Sequence, residues 1–215
     1  MKLRFNGRQV IKHFKSNLIE SYTNHIIPTK LVVEIPYDGY TLTLLPSSDC
    51  IVGNGLVSWG DGTASDLNKS LIHKYSKAGT YIIEGSFILK PIATDSLKET
   101  LVMIEYLSNK QLTLVNCFTN FTKLKSINQK RCYLNATSMF YTYANCYSLR
   151  SKAICGPNVT DMNCAYYNCQ NLTGSPVCGP NVTNMYRTYY YCDNLTGSPV
   201  CGNNVVNMSF AYYGK

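Results

Sequence analysis

The sequence predicts a mixed fold in two parts, an N-terminal β-sandwich followed by a short α/β solenoid with a 23-residue period. Two observations lead to this prediction: strand-like segments meet at a glycine-rich turn within residues 56–87, and seven cysteines recur at fixed spacing from Cys132 onwards. A hydrophobic share of 45% in 215 residues is enough for folded cores. We predict a basic arm at residues 1–29, a sandwich at 30–106 and a solenoid at 107–215.

The basic arm carries much of the positive charge of the chain, because residues 1–30 hold six cations against one acid. It lacks the run of about 7–15 apolar residues that a secretory signal needs. The chain also has no stretch of about 18 apolar residues for a membrane span. Two interpretations remain open: a solvated tail, or an arm that docks on a larger assembly through Arg4, Arg8 and Lys12. Aromatic residues are not interleaved with these cations as in nucleic-acid platforms, so we expect no nucleic-acid partner.

The sandwich is predicted from the segment Trp59-Gly-Asp-Gly-Thr63 and from the pattern His73-Lys-Tyr-Ser-Lys-Ala-Gly-Thr-Tyr81. The first is a strand running into a tight turn, in which glycines allow positive φ and Asp61 can bond to turn amides. The second is a strand, a turn and a strand. Together they resemble the PKD-type immunoglobulin-like domains. That resemblance implies a β-sandwich that serves as a spacer or binding module, with Trp59 and Tyr81 in its core.

The repeats are defined by two cysteine series with the same 23-residue period. The first series is Cys132, Cys155, Cys178 and Cys201, and the second is Cys146, Cys169 and Cys192. Methionine, leucine and tyrosine-pair columns recur with the same period, as expected for stacked repeats with a shared core. A chain without a signal segment is not expected to form disulfides, so small, apolar free cysteines fit these columns.

Within one repeat we expect a short helix, a turn and a short strand. The segment Met162–Cys169 has the length of two helical turns, and "NLTGSPV" is compatible with a short strand. Most Asn-x-Ser/Thr triplets occupy fixed repeat positions. We therefore interpret their side chains as hydrogen-bond partners of the backbone, stacked from repeat to repeat, rather than as glycosylation sites.

The pattern "NVTNMxxxYYxCxNL" of residues 181–195 resembles the BspA-like leucine-rich repeats. The resemblance covers about residues 110–215, with tyrosine pairs where that family usually has phenylalanine. It implies a solenoid used for surface attachment and for protein or glycan recognition, in bacterial surface proteins and in phages.

Differences between the two closest repeats, 155–177 and 178–200, identify the candidate binding residues. The substitutions fall within ten consecutive positions, which we expect to project into solvent from the helical side. They predict a recognition surface. Its residues are Tyr186, Arg187, Tyr191, Asn163 and Asn168. Unconstrained surface variation is the alternative. Cys164, which lies outside the cysteine columns, is expected to be an exposed or partly buried thiol.

The last unit, "CGNNVVNMSFAYYGK", stops within a repeat, where exposed solenoid ends normally need a capping element. Either its aromatic residues cap the stack themselves, or this end rests on another subunit, which includes association between copies of the chain. Phe210 and Tyr213 are therefore predicted assembly contacts.

No catalytic or metal constellation is found in the sequence. The three histidines lie outside the repeats, the cysteines lack the close pairs of structural zinc sites, and no nucleotide-binding loop occurs. We expect no enzymatic activity, no cofactor and no metal.

Two functional hypotheses follow. In the first, the chain is a structural protein of a bacteriophage virion, such as a head or tail fibre or decoration protein. It is made in the host cytoplasm, anchored to other virion proteins by its arm, and displays the solenoid to a host-surface protein or glycan. In the second, it is a bacterial cell-surface adhesin whose export signal has been removed. Neither hypothesis involves membrane insertion.

Overall fold

The computed structural model describes residues 28–44, 55–69, 71–90, 94–108, 110–111, 113–128, 135–197 and 200–214. The described fold is rich in β-structure. Its strands are β1 (Thr29–Ile35), β2 (Thr41–Thr43), β3 (Leu56–Ser58), β4 (Ala64–Asp66), β5 (Ile72–Lys74), β6 (Gly79–Gly85), β7 (Leu101–Tyr106) and β8 (Ser126–Ile127). One six-residue helix, α1 (Asp95–Thr100), precedes β7. Among the described residues, no helix is long and apolar enough to span a membrane.

Six strands form one sheet in the order β4-β3-β6-β1-β7-β8, and β2 pairs with β5 in a second, two-stranded sheet. The alternating side chains of β1 explain its central place, because Leu31, Val33 and Ile35 are buried while Glu34 faces solvent. Strand β6 pairs antiparallel with β1, with Val33 opposite Tyr81. Trp59 and Tyr75 lie fully inside the core. The predicted core position of Trp59 is confirmed, whereas Tyr81 is only partly buried.

The glycine-rich turn after β3 has the predicted hydrogen bonds. Asp61 Oδ1 accepts from the Thr63 amide at 3.0 Å and from the Thr63 hydroxyl at 2.6 Å. Gly60 has a φ of +84°, and a Cβ there would lie 2.6 Å from backbone atoms of Ile82. Glycine is therefore required both for the turn conformation and for the close approach of β6.

The repeats lie beside one another in parallel register at the predicted period. Isolated bridges join Ser138 to Asp161, Asp161 to Asn184, and Asn184 to Asn207, each 23 residues apart. Further along each repeat, Val177 pairs with Val200. The 23-residue sequence period is therefore also the spacing of the structural repeat.

The predicted helix at Met162–Cys169 is wrong, because this segment is a chain of turns. Successive backbone amides alternate between two kinds of acceptor, a carbonyl within the same repeat and a carbonyl of the next repeat. The Ala165 and Tyr167 amides donate to carbonyls three residues back, at 2.9 and 3.1 Å. The Cys164 and Tyr166 amides donate to the next repeat, at 2.9 and 3.0 Å. Half of the amides thus hold the repeat in its turn conformation, and half join it to its neighbour.

Left-handed residues give the physical reason for the missing helix. Cys164 has a φ of +53° and Asn168 a φ of +59°, and such residues interrupt a right-handed helix. Both positions recur with the repeat period. The first column contains Tyr141, Cys164, Arg187 and Phe210, and the second contains Asn145, Asn168, Tyr191 and Gly214.

The sheet and the repeats share one buried core that extends from Leu31 to Ala211. Strand β7 pairs in parallel with β8, which places Ile104 opposite Ile127. The sheet therefore crosses the predicted boundary at residues 106/107. Lys125, just before β8, also forms an ion pair with Glu34 of β1 at 2.8 Å. This exposed pair contributes at most about 1 kcal/mol, so the continuous apolar core is the main connection between the two parts.

Candidate functional site

A column of stacked aromatic rings forms the interior of the repeats. Neighbouring ring centroids are 5.3 to 5.6 Å apart along Phe118, Tyr143, Tyr166, Tyr189 and Tyr212. The buried hydroxyls have backbone partners, as burial requires. The Tyr166 hydroxyl donates to the Ile154 carbonyl at 2.8 Å, and that of Tyr189 donates to Val177 at 2.7 Å. This column belongs to the scaffold and is closed to ligands.

A second tyrosine column lies nearer the surface. The Tyr167 and Tyr190 rings are 5.3 Å apart, and the Tyr190 and Tyr213 rings are 5.0 Å apart. Tyr167 and Tyr190 are half-buried, whereas Tyr213 is exposed. Each tyrosine pair belongs to the stack, as the recurring tyrosine-pair columns predict, and the second tyrosine of each pair is the more exposed one.

Six residues of the last two repeats form what we call the aromatic–arginine cluster. Its members are Tyr186, Arg187, Tyr190, Tyr191, Phe210 and Tyr213. Edge-to-face contacts connect Tyr186 with Phe210 at 6.2 Å, Phe210 with Tyr213 at 6.0 Å, and Tyr190 with Tyr191 at 4.4 Å. The cluster brings together three of the predicted binding residues and the two predicted assembly contacts of the last unit.

Arg187 lies at the centre of the cluster. Its guanidinium carbon is 5.0 Å from the ring centroid of Tyr186, 5.4 Å from that of Tyr190 and 5.6 Å from that of Phe210. These are cation–π distances. The side chain is half-buried rather than solvent-projecting, which corrects the prediction made from the helical interpretation. The guanidinium thus contacts two rings of its own repeat and one ring of the next.

The predicted binding residues Asn163 and Asn168 lie one repeat away from this cluster, and both are half-buried. The Asn168 side-chain amide donates to Asn145 Oδ1 at 3.1 Å, which continues a ladder in which Asn145 donates to Asn120 at 2.8 Å. Asn168 is thus part of the scaffold. The backbone N–H of Asn163 donates to Asp161 Oδ1 at 3.0 Å, while the side-chain Oδ1 of Asn163 is buried without a partner in the described structure. The predicted assembly contacts Arg4, Arg8 and Lys12 lie outside the described residues.

Three of the triplet asparagines bond to backbone of the preceding repeat, as predicted. Asn171, Asn181 and Asn194 each donate to a carbonyl 24 residues earlier, at 2.7 to 2.8 Å. Asn204, which is not part of a triplet but occupies the repeat position of Asn181, donates in the same way at 2.9 Å. A threonine hydroxyl also bonds to backbone of the preceding repeat: Thr183 donates to the Thr160 carbonyl at 3.1 Å.

The cysteines of the buried column do more than fill space. The thiols of Cys169 and Cys192 donate to carbonyls of Tyr143 and Tyr166 at 3.0 Å, 26 residues earlier. Burial raises the pKa of Cys169 well above its usual range, and it raises that of Cys155 to about 12 despite the opposing hydrogen bond from the Gly179 amide. Thiols with raised pKa values are poor nucleophiles.

Cys164 is buried, with 1% exposure, which contradicts the predicted accessible thiol. Burial raises its pKa, while a hydrogen bond with the Tyr141 hydroxyl and the charge of Arg187 act in the opposite direction. Tyr141, Cys164 and Arg187 are successive members of one left-handed column, and the sequence interpretation did not predict that they lie together. Their spacing of 23 residues, which equals the repeat period, is the sequence feature that indicates it.

A histidine–aspartate pair lies in the sheet region. His73 Nε2 is 2.7 Å from Asp61 Oδ2, and its ring stacks on Trp59 at 4.9 Å. Burial raises the pKa of Asp61, but hydrogen bonds with Thr63 and His73 outweigh it, so the pKa lies below its usual value. The pair joins the turn after β3 to β5. Across the described ranges, no group of three or more His, Cys, Asp or Glu side chains is arranged to hold a metal ion.

Comparison of the chain with models of protein families, with curated proteins and with solved structures finds no match in any of the three.

Proposed function

We propose that this chain is a non-enzymatic recognition and assembly protein of a bacteriophage virion. In this proposal the N-terminal part is a PKD-like β-sandwich, and the repeats form a BspA-like solenoid built of turns and bridges. The sandwich acts as a spacer, the basic arm holds the protein on the particle, and the repeats face the host.

The aromatic–arginine cluster is the observation that carries this proposal. Residues that differ between otherwise similar repeats converge there with exposed aromatic residues of the last unit. Arginine and tyrosine are enriched where proteins bind partners, because they supply large contact areas with adaptable hydrogen bonding. The residues around the cluster recur from repeat to repeat and have structural roles. We therefore assign partner binding to the cluster.

The continuous core supports a spacer that is stiff rather than flexible. Gln111 links the two parts, since its side chain accepts from the Leu89 amide and donates to the Leu89 carbonyl, both at 2.9 Å. Strand β8 adds a parallel strand to the same sheet. A recognition surface on such a support keeps a defined orientation relative to its attachment point.

Mass spectrometry of purified phage particles tests the assignment. We expect peptides of this chain in particles that remain after density-gradient purification and a high-salt wash. If the chain is absent from particles but found in the envelope fraction of a bacterium, the cell-surface adhesin becomes the better hypothesis.

A further inference from the structure

The charge of Arg187 is held by aromatic rings alone within the described structure. Three rings surround its guanidinium at cation–π distance, and no carboxylate among the described residues forms an ion pair with it. Its φ of +51° places it in the left-handed region, where arginine has no intrinsic preference. The three rings pack around the guanidinium, and its charge has no carboxylate counter-ion among the described residues.

The hydrogen-bonding groups of this arginine are also incompletely used. Its Nε is buried and has no hydrogen-bond partner among the described residues. A guanidinium carries five N–H donors in a planar fork that matches the geometry of a carboxylate. Arg187 is only half-buried as a residue. Because its Nε is buried, we assign the pairing with an anionic group from solvent to the terminal amino groups of the guanidinium.

Three aromatic rings of the cluster are exposed, and one of them, Phe210, contacts the arginine. Tyr191 is 42% exposed, Phe210 52% and Tyr213 54%, and their rings contact one another or share a neighbour in the cluster. The face of an aromatic ring is apolar and carries partial negative charge, which suits the C–H face of a sugar ring. The tyrosine hydroxyls add hydrogen-bonding groups for sugar hydroxyls.

We propose that the aromatic–arginine cluster binds an oligosaccharide that carries a carboxylate, such as a uronic acid. Arg187 pairs with the carboxylate through its guanidinium, and the rings of Tyr191, Phe210 and Tyr213 contact the sugar ring. This inference names the ligand of the proposed recognition surface and so rests on the proposed function.

The distribution of charge favours an acidic sugar over a nucleic acid or an acidic peptide. Arg187 is the only lysine or arginine between residues 153 and 214. Polyanions such as nucleic acids require a cluster of cations along their phosphates. One cation among aromatic, amide and hydroxyl groups instead matches one carboxylate on a largely neutral, hydroxyl-rich ligand.

Isothermal titration of the full chain with a neutral xylo-oligosaccharide that carries one glucuronic acid, and with the methyl ester of the same sugar, tests the ligand class. The two sugars differ in charge and share the same ring skeleton. We expect the acid to bind at least about tenfold more tightly than the ester, because only the acid forms the charge-assisted pair. Equal affinity for the two, or no binding of the acid, overturns the proposal. Equal or tighter binding of a short peptide with a free C-terminal carboxylate overturns the sugar class.

Two variants locate the site. Arg187→Gln is expected to weaken binding of the acid about tenfold or more and to leave binding of the ester unchanged. Arg150→Gln removes an exposed arginine outside the cluster and is the matched control, with expected affinity equal to that of the natural chain. Circular dichroism checks folding of both variants, and the comparison of acid with ester on the natural chain stands if Arg187→Gln fails to fold. Equal loss in both variants overturns the assignment to the cluster.

The outcome is independent of the particle experiment. If the chain is found in virions but does not bind the acid, the ligand is wrong and the virion assignment stands. If the chain binds the acid but is absent from virions, the site is correct and the virion assignment is wrong.

Discussion

The Cys-Gly pairs at the repeat boundaries show how one side chain sets the distance between repeats. A Cβ added to Gly179 would lie 2.8 Å from the sulfur of Cys155 and 3.0 Å from the carbonyl oxygen of Gly156. Gly179 therefore leaves room for the cysteine of the preceding repeat. One repeat later the geometry is looser, because a Cβ on Gly202 would lie no closer than 3.5 Å to the Pro180 oxygen.

Gly179→Ala is expected to destabilise the chain by about 1–3 kcal/mol, because the added methyl group must displace sulfur and backbone in a packed interior. Gly202→Ala is the matched control, and its expected change is below about 0.5 kcal/mol, as for an ordinary contact. Urea unfolding of both variants measures the difference. Equal stability of the two would contradict the described packing of the Cys155 sulfur.

Much of the residue-level pattern could be predicted from the sequence, since each repeat position has the same neighbours above and below. The buried columns of Met162 and Leu172 follow directly from the period. The left-handed positions were harder to find. Asn145, Asn168 and Gly214 share one column and are residue types that favour positive φ, but Tyr191 at the same position conceals the preference.

Elements formed by local hydrogen bonds were predicted less well in the repeats than in the sheet. The turn around Asp61 has a residue-specific pattern, and the structure agrees with it. The repeat segment 162–169 has suitable length and composition for a helix. Its actual conformation depends on amides that bond to the next repeat, which a sequence window cannot contain.

The turn around Asp61 leads to a prediction on pH. Because the folded pKa of Asp61 lies below its unfolded value of about 3.9, its stabilising contribution is fully present above the unfolded pKa. The contribution is lost as the pH falls through the folded pKa. Asp61→Asn should therefore be less stable than the natural chain at pH 7, by about 1 kcal/mol, and this gap should shrink toward pH 3.

Urea unfolding of the natural chain and Asp61→Asn across this pH range measures the gap. Asp193→Asn, which changes an exposed acid in the repeats, is the control and should show a small gap at every pH. A gap for Asp61→Asn that does not change with pH would contradict the assigned role of this carboxylate.

At the scale of the whole molecule, the parallel pairing of β7 with β8 and the shared core join a sheet region to a stack of repeats. Sequence periodicity predicts that such a stack exists, but it does not predict which strand of the sheet the first repeat extends. The paired residues, Met103 with Ser126 and Ile104 with Ile127, are 23 positions apart, as in the repeats. The two segments share no sequence pattern with the repeats, so the period alone does not reveal this pairing.

The central claim is that this chain is a virion protein whose repeats face outward. Immunogold electron microscopy of intact, purified phage particles tests it most directly, with an antibody raised against the folded chain and selected for loss of binding to Arg187→Gln. We predict gold label on the surface of intact particles at a regular location. No label at all, or label that appears only after the particles are disrupted, would contradict the claim.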